Sequence, residues 1–102
     1  MISVIATIEL AEGRREDFLA AFAQVVPKVL AEDGCVEYGP WSDLETSIEA
    51  QPPVRGNVIT AVEKWESIEA LEAHLIAPHM IDFRKAIEGI VTGITLHILK
   101  PE

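Results

Sequence analysis

His74 and His79 lie five positions apart, and Glu63 and Trp65 stand just upstream in the same stretch, Ala61–His79. An imidazole titrates close enough to neutrality to take and return a proton, which suits general-base work. A buried carboxylate at Glu63 has to pair with a cation or orient an imidazole, because an unpaired buried charge is costly. Arg84 is the nearest candidate cation, and it could equally hold an anionic substrate. Trp65 can stack on a planar substrate as a pocket wall, and it can also fill a core. Plainer roles stand beside these: a histidine that holds its helix at 74, one that caps a helix at 79, and core or rim aromatics at Tyr38 and Trp41.

Other chemistries find little support. His74 and His79 have Pro78 between them and lack the i, i+4 spacing of a helical zinc pair. There is no glycine-rich phosphate loop and no dinucleotide fingerprint, and no residue set makes a convincing metal site. Cys35 is the one cysteine, and no basic neighbour lowers its pKa, so it reads as a small buried residue. A lone cysteine forms no intrachain disulfide and suits a reducing, cytoplasmic setting. Eight Lys+Arg against 17 Asp+Glu give 8 − 17 = −9. That balance argues against nucleic acid or an anionic membrane surface as partner, since both call for clustered cations. The first residues lack the basic start of a signal peptide, and no apolar run nears the roughly 20 residues that span a bilayer.

The elements that must position these side chains follow from periodicity. The 102 residues, 49% of them hydrophobic, are expected to form one domain. Ile2–Leu10 alternates as a strand. Arg14–Glu32 carries Phe18, Phe22, Val25 or Val26, and Val29 at helical spacing, with Leu19 and Leu30 widening the stripe. Pro27 predicts a kink or a restart there, and Asp33-Gly34 closes the helix. Cys35–Trp41 reads as a second strand whose Gly39-Pro40 end belongs at an edge or bulge. Ser42–Asn57, with paired prolines, is a long loop of the kind that often serves as a lid or interaction element. Val58–Trp65 is a third strand. Ser67 then caps a helix with Ile68, Leu71 and Leu75 as its buried stripe, ended by Pro78. His79–Val91 is a last helix with Met80, Phe83, Ile87 and Ile90 inward, and Thr92–Lys100 a fourth strand. The order β-α-β-β-α-β is that of an α+β, ferredoxin-like domain with an antiparallel sheet. The strands are apolar on more positions than one covered face needs, so a second subunit is expected over the open face, as a homodimer.

Glu32-Asp-Gly-Cys-Val-Glu-Tyr38, then Glu63-Lys-Trp-Glu-Ser-Ile-Glu-Ala-Leu-Glu-Ala-His74 and Pro78-His79, resemble the antibiotic biosynthesis monooxygenase family of dimeric α+β barrels, which includes small quinol monooxygenases. The likeness spans nearly the whole chain, through Gly34, Cys35, Tyr38, Trp65, Ser67, Ala70, Leu71, His74 and His79. Many relatives carry tyrosine where Val62 stands. The ligand positions of the haem-degrading branch look like Ala6 and Arg84 here, which does not imply haem. The resemblance implies a cofactor-independent monooxygenase acting on a small quinol or phenol with molecular oxygen. His74 would then be the base, assisted by His79 or Glu63, with Trp65, Phe83, Arg84 and Tyr38 holding the small aromatic substrate. The family also implies a second possibility, cofactor-free isomerisation of small hydroxy-ketones. A non-catalytic dimeric binding or stress-related module is the third.

Overall fold

The alternation in the first ten residues becomes β1, Ile2–Leu10, the strand on which the sheet is centred. The computed structural model describes all 102 residues. After β1 come α1 (Arg15–Leu30), β2 (Cys35–Trp41), β3 (Val58–Trp65), α2 (Ile68–Leu75), α3 (Pro78–Ala86) and β4 (Val91–Leu99). The sheet order is β2-β3-β1-β4, antiparallel throughout. This is the α+β, ferredoxin-like arrangement, with the helices on one face.

Register decides what faces those helices. Ala6 pairs with Ala61 of β3 and Leu96 of β4, and Val4 pairs with Glu63 and Ile98. Directly paired residues share a face. Val4, Ala6, Ile8 and Leu10 of β1 therefore point inward with Ile59, Ala61, Glu63 and Trp65, and all eight are buried. Phe18, Phe22, Val25 and Val29 of α1 cover them. Leu30, by contrast, is exposed.

Of three local expectations at prolines and helix ends, two change and the one at Pro40 is met. α1 runs through Pro27 without restarting, since proline near a helix end removes only one bond, and the Ala31 N–H closes on the Pro27 carbonyl at 3.2 Å. Pro40 stays within β2, which is an edge strand, where a missing donor is tolerated. The last helix stops at Ala86 rather than Val91. Gly89, at φ +79°, reverses the chain, and Ile87 and Ile90 reach the core from that turn.

The loop between β2 and β3 is held by its own side chains and by the first residue of α1. Arg55 clamps Asp43 through Nε and Nη2, both at 2.9 Å, and Arg15 donates to the carbonyls of Gly56 and Val58. No helix is long and apolar enough to cross a membrane.

Candidate active site

The buried stripe of α2 is Leu71 and His74, not Ile68, Leu71 and Leu75. Ile68 and Leu75 are exposed at the helix flank, while His74 is only 2% exposed. Helix geometry puts residue 74 three positions on from Leu71, on the same inward face. A polar ring in a stripe of this kind needs a partner. His74 Nδ1 meets Glu32 Oε2 at 2.9 Å.

Glu32 comes from the turn that ends α1, and that turn is locked to the start of α2. Gly34 (φ +83°) leaves the helix in the left-handed conformation, and its carbonyl accepts the Glu66 N–H at 2.8 Å. It also packs so closely on α2 that a β-carbon there would lie 2.6 Å from Ala70 Cβ. Ser67 Oγ accepts the Ala70 N–H at 3.2 Å and caps the same helix.

Glu32 Oε2 takes a second bond, from His79 Nε2 at 2.6 Å. On one unbroken helix, residues five apart would sit about 140° apart around the axis and diverge. The break at Ile76-Ala77, with Ala77 extended and Pro78 opening α3, lets both imidazoles reach one oxygen. An ionised carboxylate only accepts, so His74 presents Nδ1–H to Glu32 and keeps its lone pair on Nε2. Nε2 has no partner within the chain. No fully buried side-chain nitrogen or oxygen lacks one, so Nε2 opens on free space.

That space is a cavity of about 240 Å³ between the helices and the inner sheet face, lined by His74, Glu63, Tyr38, Phe83 and Arg84 among mainly apolar side chains. Its aromatic wall is ordered. Tyr38 stacks on Phe22 with ring centres 5.4 Å apart, and Phe83 meets Phe22 edge-on at 5.8 Å. His74 lies edge-on to Tyr38 at 5.5 Å and tilts over Trp65 at 4.7 Å.

Electrostatics follow from enclosure. Burial pushes the Glu63 carboxyl up to about 7; the Trp65 N–H, donated to Oε1 at 3.0 Å, pulls it back, and the Glu32 charge adds to the rise. His74 is held below the usual imidazole range chiefly by burial, with Glu32 working the other way. Burial, with Glu63 and Glu32 nearby, also raises Tyr38, which therefore stays a hydroxyl donor at neutral pH. The same causes push the Cys35 thiol up to about 11 and keep it unreactive. The cavity thus offers a neutral imidazole nitrogen as acceptor, a carboxyl poised between two states, and a phenol.

His74, Glu63, Tyr38, Phe83 and Arg84 come together as cavity lining. Trp65 does not. It is fully buried behind the lining and supports Glu63 instead of forming a wall. His79 is also off the cavity and faces a groove between α1 and α3. The expected partner of Glu63 is corrected too: Arg84 donates to the Leu75 carbonyl, and Glu63 bonds Trp65, not a cation or an imidazole. The imidazole-orienting carboxylate is Glu32, which sequence reasoning did not single out. Its only signal was its place at the head of the Glu32-Asp-Gly-Cys turn. Residues 42–57 contribute nothing to the cavity lining, so the loop is no lid over the cavity of its own chain.

A four-stranded ferredoxin-like sheet with a half-open histidine–carboxylate cavity defines the class of small α+β domains to be compared. Residues 1–86 match the family described as antibiotic biosynthesis monooxygenase, and the chain belongs to that family. It is 39% identical over 103 residues to the probable quinol monooxygenase YgiN of Escherichia coli K12, spanning 99% of this chain and 98% of that protein. PA3566 from Pseudomonas aeruginosa has a similar structure, with a TM-score of 0.81 and 25% identity over 99% of this chain and 93% of the other. A conserved protein from Methanosarcina mazei Go1 shares the fold at a TM-score of 0.84 and 19% identity, covering 99% and 92%.

Proposed function

We propose that the protein is a cofactor-independent monooxygenase that oxidises a small quinol or phenol with molecular oxygen. The observation that carries this reading is His74. Its Nδ1 is tied to Glu32 and its free Nε2 opens on a cavity with an ordered aromatic wall. The resemblance to YgiN, whose name specifies quinol oxidation, points the same way.

The chemistry asks little of the chain beyond binding, proton handling and exclusion of water. His74 Nε2 takes the proton of a phenolic hydroxyl. The electron-rich ring reduces oxygen, and a carbon–oxygen bond forms to give a peroxide, to which the proton returns. The O–O bond then breaks, water leaves with one oxygen and the ring hydrogen, and the other oxygen remains as a quinone carbonyl. Phenol and oxygen thus give quinone and water. Phe22, Phe83 and Tyr38 hold the ring. The Tyr38 hydroxyl and Glu63 are placed to donate to an oxygen on it, and Arg84, in the same wall, favours a substrate that becomes an anion.

Oxygen uptake with a panel of one- and two-ring quinols, in a chelator-treated preparation, tests the reading. Uptake at the rate of quinone formation is expected, and none with any quinol would count against it. The aromatic walls favour a ring over a hydroxy-ketone, and turnover without oxygen would reverse that preference. An open cavity at His74, where packed side chains would mark a purely structural module, favours catalysis.

We also place two copies back to back through the outer sheet face. Half-buried Ile5 and Val62 lie there with exposed Leu99 and Trp41, apolar positions set among Thr7, Thr60 and Thr95 that one chain leaves uncovered. The free Cys35 thiol supports a cytoplasmic location.

A further inference from the structure

The two histidines do unlike things. His74 is almost wholly enclosed, with its free nitrogen on the cavity. His79 is about a fifth exposed and faces the groove between α1 and α3 that also holds Lys28 and Asp82. What joins them is a single atom, Glu32 Oε2, at 2.9 Å from one ring and 2.6 Å from the other.

One oxygen shared by two donors cannot serve both independently. When His79 is an imidazolium it draws on the negative charge that supports His74; when His79 is neutral, that charge is left to His74. The arrangement also fixes direction. The carboxylate lies on the Nδ1 side of His74 and so keeps Nε2 turned to the substrate. We propose that Glu32 is the positioning residue of this site, and that it couples His74 to His79 so that protonation in the outer groove alters the strength of the base in the cavity. The proposal rests on His74 being that base.

Other charged groups around the pair do not replicate the link. On the inner side Glu63 of β3, Tyr38 of β2 and Arg84 of α3 line the cavity with His74; Glu63 is engaged by Trp65 and Arg84 by the Leu75 carbonyl. On the outer side Lys28 and Asp82 share the groove with His79, and neither is bonded to it. Glu32 alone touches both rings.

The effects on His74 have opposite signs, and this is what makes the coupling testable. Glu32 raises its protonation midpoint and His79 lowers it. Nitrogen-15 imidazole spectra of the whole protein, recorded across pH, read that midpoint and the tautomer without any substrate. In Glu32→Gln the His74 midpoint should fall, and the Nδ1–H tautomer should lose its dominance. In His79→Gln it should rise, with the tautomer kept. Where quinol turnover is present, the acid limb of kcat/KM should move with each midpoint, and Glu32→Gln should lower kcat while leaving KM near its starting value. A merely structural role for Glu32 would not shift the two variants in opposite directions. A His74 midpoint unchanged in His79→Gln, or moved the same way in both variants, overturns the coupling. If Glu32→Gln does not fold, Glu32→Asp, whose shorter side chain draws the charge back from both rings, takes its place, with the same fall in the His74 midpoint expected. Opposite shifts in a protein that oxidises no quinol would sustain the coupling and overturn the monooxygenase reading.

Discussion

Trp65 donates its indole N–H to Glu63, two residues back on the same face of β3, and that 3.0 Å bond is the only one the buried carboxyl receives from the chain. One neutral donor does not offset the loss of water around a carboxylate, so the acid form is favoured up to about pH 7.

Glu63 should therefore make stability fall with rising pH. Its folded-state pKa lies above the ordinary 4.5, so its favourable contribution is complete below pH 4.5 and is lost as pH rises through about 7. Glu63→Gln keeps an acceptor for Trp65 and removes the charge. Urea unfolding should show the variant gaining on the parent between pH 5 and 8, by on the order of 3 kcal/mol at most. A difference that does not change with pH would contradict this. Trp65→Phe, which strips the donor, should push the Glu63 titration higher still.

Substitution of His74 bears on rate. His74→Gln keeps polarity but offers no proton acceptor of comparable strength, and kcat for quinol oxidation should drop by roughly 10²- to 10⁴-fold. Circular dichroism should show the fold retained. A variant that keeps more than a tenth of the parent rate would place the base elsewhere, with Glu63 next to be tested.

Gly34 and Gly13 separate strain from collision. Both have positive φ, +83° and +78°, but only Gly34 has a neighbour where a β-carbon would go, Ala70 Cβ at 2.6 Å. Gly13→Ala should cost about 1 kcal/mol from backbone strain alone. Gly34→Ala should cost at least twice that, because the α1–β2 turn or α2 must move. Since α2 carries His74, only the Gly34 variant should also lose activity. Equal losses in denaturant midpoint would show that the turn accommodates the methyl group.

The outer sheet face can be probed for assembly. Val62→Asp puts a charge amid the apolar outer surface without touching the cavity, since residue 62 points away from the helices. Sedimentation equilibrium should give about twice the chain mass for the parent and the single-chain mass for the variant. A parent that sediments at the single-chain mass would remove the dimer from the account.

Much of this architecture was legible in the residues. Period-two alternation in Ile2–Leu10 and Val58–Trp65, helical spacing of Phe18, Phe22 and Val29, and the Ser67 and Pro78 boundaries all correspond to observed elements. The site was less so. Hydropathy assigns the inward stripe of α2 to Ile68, Leu71 and Leu75, whereas Leu71 and His74 are the buried pair, because a carboxylate from another element satisfies the imidazole. Glu32 is 42 residues from His74 in sequence, and no local pattern reports such a pairing. Trp65 falls on the strand and face that alternation predicts, yet its depth behind Glu63 depends on how the helices seat.

The break at Ile76-Ala77 makes the length of the chain there part of the site. An added or lost residue there would shift and reorient α3 against α2 and carry His79 off the shared oxygen. Residues 42–57, by contrast, lie off the cavity and can vary in number without disturbing it. Within this one fold, tolerance to insertion should be generous between β2 and β3 and nearly absent at the two residues before Pro78.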